Sequence, residues 1–407
     1  MKSAARGITA TCLSMLVLSI APFTMAETMR EAVLRKAAIK NGLRPVENTW
    51  PQIASEKAAV GRLLFESKLL SLTRNVSCRS CHLDEFGSAD GMPLARGAGG
   101  IGKGKERLKS QASILPRNTL PLWGRGGIGF NVFFWDGKVD ARAGVVLSQF
   151  GNKAPSKDPL VVAIHLPPVV FREMIEENEK TEWLRQESLS VTNHIYLQIT
   201  QRIRKVPKLS APLAKAFGIK VEEIRFIHIA KAISAFIRSE FRLRETRFHR
   251  FVFKKGSLTK QELAGGLLFY GRGRCVHCHN GPYFSDFKFH VIPFTQLGFG
   301  FNGFGIDYGR YNFTQDPNDL YAFRTPPLYN VTKTAPYTHS GAIASLADTI
   351  RAHVDPLAKV DTSKLTAHDR IELYRKIARW MQELGNAVEL SEEDIENLIS
   401  FLKTLDF

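Results

Sequence analysis

Two five-residue segments of the chain repeat one arrangement of side chains. They are Cys78-Arg79-Ser80-Cys81-His82 and Cys275-Val276-His277-Cys278-His279. The short spacing puts two thiols and an imidazole on one turn of chain. This is the attachment pattern of c-type haem, in which both thiols add to the vinyl groups and the following histidine gives a nitrogen to the iron. A zinc site or a pair of exported redox disulfides would use the same cysteines. Neither explains a histidine directly after both second cysteines. Cys78, Cys81 and His82 are therefore expected to hold one covalent haem c, and Cys275, Cys278 and His279 a second. His277, between two of the thiols, reads as a solvated residue rather than a ligand.

The chain has 407 residues and five cysteines. The fifth, Cys12, lies in an N-terminal segment with the order of a secretory signal peptide. Lys2 and Arg6 precede an apolar run from Ile8 to Ala21, and Thr24-Met25-Ala26 ends it with small residues. Cleavage after Ala26 is expected. It discards Cys12, removes two basic residues and no acidic one, and so lowers the net charge from +17 to +15. An uncleaved anchor is the alternative, but the apolar run is short for a membrane span. The run from Phe289 to Ile306 contains four glycines and a proline and reads as a loop. A periplasmic protein without a transmembrane anchor is expected, in the compartment where c-type haem is assembled.

Cys275 follows Cys78 by 197 positions, which predicts one haem per domain. Ala59-Val60-Gly61-Arg62-Leu63-Leu64-Phe65 before the first motif is echoed by Ala264-Gly265-Gly266-Leu267-Leu268-Phe269 before the second. Each reads as an amphipathic helix leading into a haem loop. Helical patterning covers 52–66, 171–189, 192–205, 221–250, 259–270, 344–353, 366–384 and 391–405. The last begins at Ser391 as N-cap with Asp394 three residues on. Loops rich in Gly and Pro fill 87–130, 151–168 and 281–336. The expected fold is mainly α, with two cytochrome c-like haem domains joined by long loops. After the signal peptide at 1–26, the domains are expected at 27–190 and 191–407.

Beside the two haem motifs, the chain carries Phe134-Trp135-Asp136-Gly137-Lys138 and Phe323-Arg324-Thr325-Pro326-Pro327-Leu328. It also carries Thr334-Ala335-Pro336-Tyr337-Thr338-His339-Ser340-Gly341 and Ser345-Leu346. Together these closely resemble the bacterial di-haem cytochrome c peroxidase family, which includes the MauG branch that oxidises tryptophans in a protein substrate. The resemblance covers nearly all of the chain after Ala26. It implies that His82 serves the haem where peroxide reacts and His279 a six-coordinate haem that transfers electrons.

The resemblance also assigns single residues. The sixth ligand of the second haem is a Met in typical peroxidases and a Tyr in MauG, 19 positions after the Thr of Thr-Ala-Pro-Tyr. Here that position is His353, a competent iron ligand or else an ordinary helix-surface histidine. Bis-histidine ligation implies a lower potential than His/Met. The family's acid–base Glu precedes a Met downstream of a proline, which points to Glu173 before Met174. A helix N-terminal carboxylate is the bland alternative. Trp135 matches the family's tryptophan between the haems, with a buried aromatic as its alternative. Calcium is implied on Asn118, Thr334 and Pro336, an oxygen set suited to a hard cation. The segment from Gly87 to Gly104 has no histidine to cap the first iron, so that iron is expected to be open. Met92 as its ligand and His165 as a polar group near the peroxide are minor alternatives.

These assignments imply a periplasmic oxidoreductase that reacts with hydrogen peroxide. Its reductant would be a small redox protein, a cytochrome c or a cupredoxin, or, as in MauG, oxidisable Trp or Tyr side chains of a partner protein. A di-haem electron carrier without enzymatic activity is the reading from another class. The basic balance suits an acidic redox partner. Nucleic acid is not an expected partner of an exported haem protein.

Overall fold

The structure is a computed structural model, which describes residues 21–178, 181, 188–301, 305–358, 360–384 and 388–407. The fold is mainly α. In chain order the helices are α1 (Ala21–Lys40), α2 (Ser55–Glu66), α3 (Pro159–His165), α4 (Leu189–Arg204), α5 (Pro207–Phe217) and α6 (Phe226–Glu240). They are followed by α7 (Arg247–Phe253), α8 (Lys260–Tyr270), α9 (Tyr311–Thr314), α10 (Leu346–Val354), α11 (Ala367–Leu384) and α12 (Glu392–Lys403). Strands are short. β1 (Val132–Phe133), β2 (Val139–Asp140) and β3 (Leu147–Ser148) form one antiparallel sheet. β4 (Phe289–His290) pairs with β5 (Phe323–Arg324). Among the described residues, no helix is long and apolar enough to cross a membrane.

The sequence echo before the two haem motifs has a packing reason. α2 packs on α6, and α8 packs on α12. At each crossing a glycine removes the side chain so that two backbones approach. A Cβ on Gly61 would lie 2.0 Å from the Ala232 carbonyl oxygen, and one on Gly265 would lie 1.9 Å from that of Asn397. The capping box at Ser391 and Asp394 starts α12 as its sequence predicts. α10 to α12 and α8 also begin at or near the residues that their patterning indicates.

Contacts do not follow sequence halves. α6, α5 and α2 pack together, as do α3 and α6, while α1 reaches α7 and α8. The principal packing partner of α2, α6, lies beyond residue 190. The helix expected over 171–189 is absent from its first eight residues, which form a turn with a bridge between Phe171 and Ile175. Arg172 adopts φ +68°, outside helical geometry, and its carbonyl accepts from Ala98 N at 2.7 Å. The pattern over 221–250 is broken into α6 and α7 by an irregular stretch. α3 occupies part of the expected loop at 151–168, with Asp158 as N-cap and Pro159 in the first turn. The proposed signal peptide lies largely outside the described residues. Its cleavage position, after Ala26, falls within α1.

Candidate functional site

The two Cys-x-x-Cys-His motifs have one local geometry. Each opens with a single 3-10 turn, Cys78–Ser80 or Cys275–His277. His82 N donates to Cys78 O at 3.0 Å, and His279 N donates to Cys275 O at 2.9 Å. The imidazoles are fixed in matching ways. His82 Nδ1 lies 2.9 Å from Ser88 O, and His279 Nδ1 lies 3.0 Å from Phe284 O. A carbonyl only accepts, so Nδ1 carries the proton and Nε2 keeps its lone pair for a metal. Burial pulls both imidazoles down to about 4, which keeps them neutral, as a ligand must be. Burial also pushes the thiols of Cys78, Cys81 and Cys275 up to about 12. The four described cysteines form no disulfide. His277 is exposed, consistent with a solvated residue.

Cys78, Cys81 and His82 open into a cavity of about 820 Å³. Its size suits a large planar cofactor, and its wall is mostly apolar, with few polar groups. Glu173, Trp135, Lys138, Arg125 and Asn118 share that wall. Glu173 is held by its neighbours: Ala98 N donates to Arg172 O at 2.7 Å, and Leu72 N donates to Met174 O at 3.0 Å. Loss of hydration raises the Glu173 carboxyl, and Lys138 only partly offsets this. Trp135 follows Phe134, which has φ +67°, in the turn between β1 and β2. Its indole Nε1 donates to Asn118 O at 3.0 Å. Gly137 completes this turn at φ +66°, where a Cβ would meet the Phe289 ring at 2.2 Å.

Other residues are placed elsewhere. Met92 is fully buried and does not line the cavity, so its place there as a ligand is not supported. His165 ends α3 with Nδ1 2.7 Å from Val161 O, packed among Phe150, Tyr196 and Phe226. It is a satisfied core histidine, and Ala163 and Ile164 line the cavity instead. Among the described residues, His82 is the one histidine on that wall. Phe299 and Phe301 also line the cavity, reaching it from a segment read in the sequence only as a loop. Nothing in the local pattern of that Gly- and Phe-rich stretch signals the contact.

At the second motif, the ring centroids of His279 and His353 are 6.5 Å apart. Two imidazoles that bind one metal from opposite sides, at about 2.0–2.1 Å per bond, have centroids roughly 6.4 Å apart. His353 lies on α10 with Nδ1 2.7 Å from Thr349 O, so its Nε2 is also free for a metal. Phe294 meets its ring edge-on at 5.1 Å, and Trp380 donates to its carbonyl at 3.2 Å. Burial lowers the imidazole, keeping it neutral. The donor set at both motifs thus fits covalently bound haem. Cys278, Asp286 and His290 bring three ligand atoms within 4.8 Å of one another, but Cys278 belongs to the haem motif.

Asn118 and Pro336 also meet. The Asn118 amide nitrogen donates to Pro336 O at 2.7 Å, across the cis Ala335–Pro336 bond. The Thr334 hydroxyl is bonded to Val331 O at 3.0 Å. A calcium ion on these residues requires the Asn118 amide to present its oxygen instead. Beside this point Arg117 is buried between Asp136, at 2.6 Å, and Asp307, at 2.7 Å.

The profile of the family described as di-haem cytochrome c peroxidase matches residues 55–257. That span runs from the start of α2 past α7 and so includes the α2–α6 crossing. Cytochrome-c peroxidase IdrP1 of Pseudomonas sp. (strain SCT) is 26% identical over 97% of this chain and 91% of its own length. Methylamine utilization protein MauG of Methylorubrum extorquens is 25% identical over 87% of this chain and 79% of its own. The same fold is seen in a solved MauG-like protein associated with microbial copper homeostasis. That chain is 24% identical, with a TM-score of 0.63, covering 90% of this chain and 92% of its own. The chemistry common to these relatives is that of a peroxidase-type oxidoreductase with covalently bound c-type haems. With both attachment motifs intact and this agreement in sequence and fold, the chain belongs to the di-haem cytochrome c peroxidase family.

Proposed function

We propose that hydrogen peroxide is reduced in the cavity at His82 and that electrons reach it by way of Trp135 from the His279/His353 site. The carrying observation is that His82, Glu173 and Trp135 line one cavity. A c-type haem held by Cys78, Cys81 and His82 would supply an iron able to react with peroxide. His82 would hold that iron through Nε2, with Ser88 O fixing the ring through Nδ1. Glu173, as carboxylate, accepts the proton of the near peroxide oxygen and delivers it to the far oxygen, which leaves as water. Its raised pKa brings the carboxyl nearer the working pH, where accepting and returning a proton are both favourable. The apolar wall excludes bulk water from this transfer. Overall, one peroxide takes up two electrons and two protons and yields two waters.

Trp135 offers an oxidisable indole on the wall of the His82 cavity, held by Asn118 O, as a relay from the second site. His279 and His353 would together hold the iron of the second haem and so keep peroxide from it. The electrons come from a cytochrome c or a cupredoxin in the periplasm, which the signal-peptide pattern implies. An acidic donor suits the basic chain. A calcium ion on Asn118, Thr334 and Pro336 belongs to the same proposal.

A second reading is favoured by His353. A bis-histidine site stabilises oxidised iron, which suits withdrawing electrons from Trp or Tyr side chains of a partner protein, as the MauG resemblance implies.

The test is single-turnover stopped flow of the haem-loaded protein with hydrogen peroxide. Glu173→Gln is expected to slow the reaction about 10²–10⁴-fold. An unchanged rate removes Glu173 from the mechanism, and a wild-type protein inert to peroxide defeats both readings.

A further inference from the structure

Among the described residues, two buried guanidiniums have neither a carboxylate partner nor a full set of carbonyl acceptors. Arg125 is 7% exposed and Arg324 is 1% exposed. Arg107 and the largely buried Arg117 are engaged. Arg107 is surrounded by the carbonyls of Arg96, Gly97, Gly100 and Gly102, and Arg117 sits between two aspartates. Arg125, by contrast, donates through Nε to Pro121 O at 2.7 Å. Arg324 donates to Phe134 O at 3.0 Å and to Thr325 O at 3.1 Å, and its Nη2 is buried with no partner. Both guanidinium carbons lie near the Phe130 ring, 5.8 and 5.9 Å from its centroid.

A buried guanidinium keeps its charge and costs several kcal/mol unless an anion compensates it. Burial pulls Arg125 down to about 10. It pulls Arg324 down further, with Arg125 itself adding to the effect. Among the described residues no carboxylate offsets either one. An anion from outside the chain would supply the partner that each lacks.

Location narrows its identity. Arg125 shares the cavity wall with Cys78, Cys81 and His82. Arg324 is tied to the neighbourhood of both sites: its N donates to Trp135 O at 2.8 Å, and Thr325 O accepts from Ser285 Oγ at 2.7 Å. Haem is bound to the motif through its vinyl groups and also carries two propionate carboxylates.

We propose that Arg125 and Arg324 are the counter-cations of haem propionates, each guanidinium hydrogen-bonding a propionate carboxylate. The assignment rests on the di-haem reading above. Arg125 belongs to the His82 haem, and Arg324 holds a propionate beside Trp135. Carboxylate and guanidinium make the charge-assisted, fork-like contact for which arginine is suited. The pair thereby tunes potential as well as position. An arginine that neutralises a propionate favours the reduced iron, so its loss favours the oxidised one.

The test uses the two-haem protein. Mass spectrometry first establishes that both haems are attached. A chain without them defeats the functional reading itself and is thereby distinguished from failure of this assignment. A crystal structure of the two-haem wild type is then expected to show a propionate oxygen within hydrogen-bond distance of each guanidinium. In spectroelectrochemistry, Arg125→Gln is expected to shift the oxidation equilibrium of the His82 haem at least tenfold toward the oxidised form. That is a fall of 59 mV for a one-electron couple. Arg125→Lys, which keeps the charge, is expected to recover most of the shift. Arg324→Gln should lower at least one potential likewise. A guanidinium bound instead to an inorganic anion, or to no anion, overturns the assignment for that residue, as does a Gln variant with unchanged potentials. If the variants fail to assemble, the wild-type structure decides.

Discussion

The rings of His279 and His353 stand 6.5 Å apart, centroid to centroid, with their planes inclined by 58°. The two residues are 74 positions apart in sequence. One follows a haem cysteine, and the other ends a nine-residue helix whose N-cap is Ser345. Each has its Nδ1 committed to a backbone carbonyl. Each therefore keeps its Nε2 lone pair available for a metal.

Exchanging one of these nitrogens for a thioether should change the second site in a known direction. His353→Met is expected to raise the potential of the second haem, because sulfur favours reduced iron. Potentiometric titration of the loaded protein measures this. A second-haem potential that stays in place would show that His353 is not its ligand.

Two glycines should prove intolerant for the same reason. Gly61→Ala places a methyl against the Ala232 carbonyl, and Gly265→Ala does so against that of Asn397. In both cases the obstacle is backbone, which cannot swing aside. Each substitution is expected to cost about 1–3 kcal/mol from overpacking. Thermal unfolding of each variant beside wild type checks the loss, and Gly144→Ala, where a Cβ meets nothing within 4 Å, serves as comparison. Gly144 has φ +80°, so only backbone strain operates there.

Acid should weaken the protein through Asp307. Burial alone would raise its carboxyl, but the Arg117 ion pair outweighs burial and lowers it from 3.8 to about 2. Its contribution is fully present above the unfolded-state value and is lost as pH falls through about 2. Asp307→Asn should therefore be less stable at pH 7. Breaking a buried pair of this kind costs about 3–5 kcal/mol. The variant should also lose less of its remaining stability between pH 4 and pH 2 than wild type does. Melting temperatures across that range test both statements. Equal acid slopes would show that Asp307 is not the responsible group.

Much of the site is legible in the sequence because covalent attachment demands a fixed local pattern. The cysteines, His82 and His279 announce themselves within five residues. The glycines of the echo mark helices that precede each motif, and the Ser391 capping box fixes the start of α12. What escapes the sequence is long-range. Nothing near Gly61 indicates that its partner is Ala232 on α6. The pattern near Phe171 reads as a helix, but pairing with Ala98 turns the backbone at Arg172. Arg125 and Arg324 look like ordinary basic residues until burial shows that no carboxylate accompanies them.

The central claim is that one chain carries an open iron site at His82 and a closed one at His279 and His353. Low-temperature EPR of the fully oxidised two-haem protein tests this most directly. The account predicts one high-spin and one low-spin ferric signal of equal intensity, and loss of the low-spin signal in His353→Ala. Two low-spin signals in the wild type would contradict the open site and indicate an electron carrier instead.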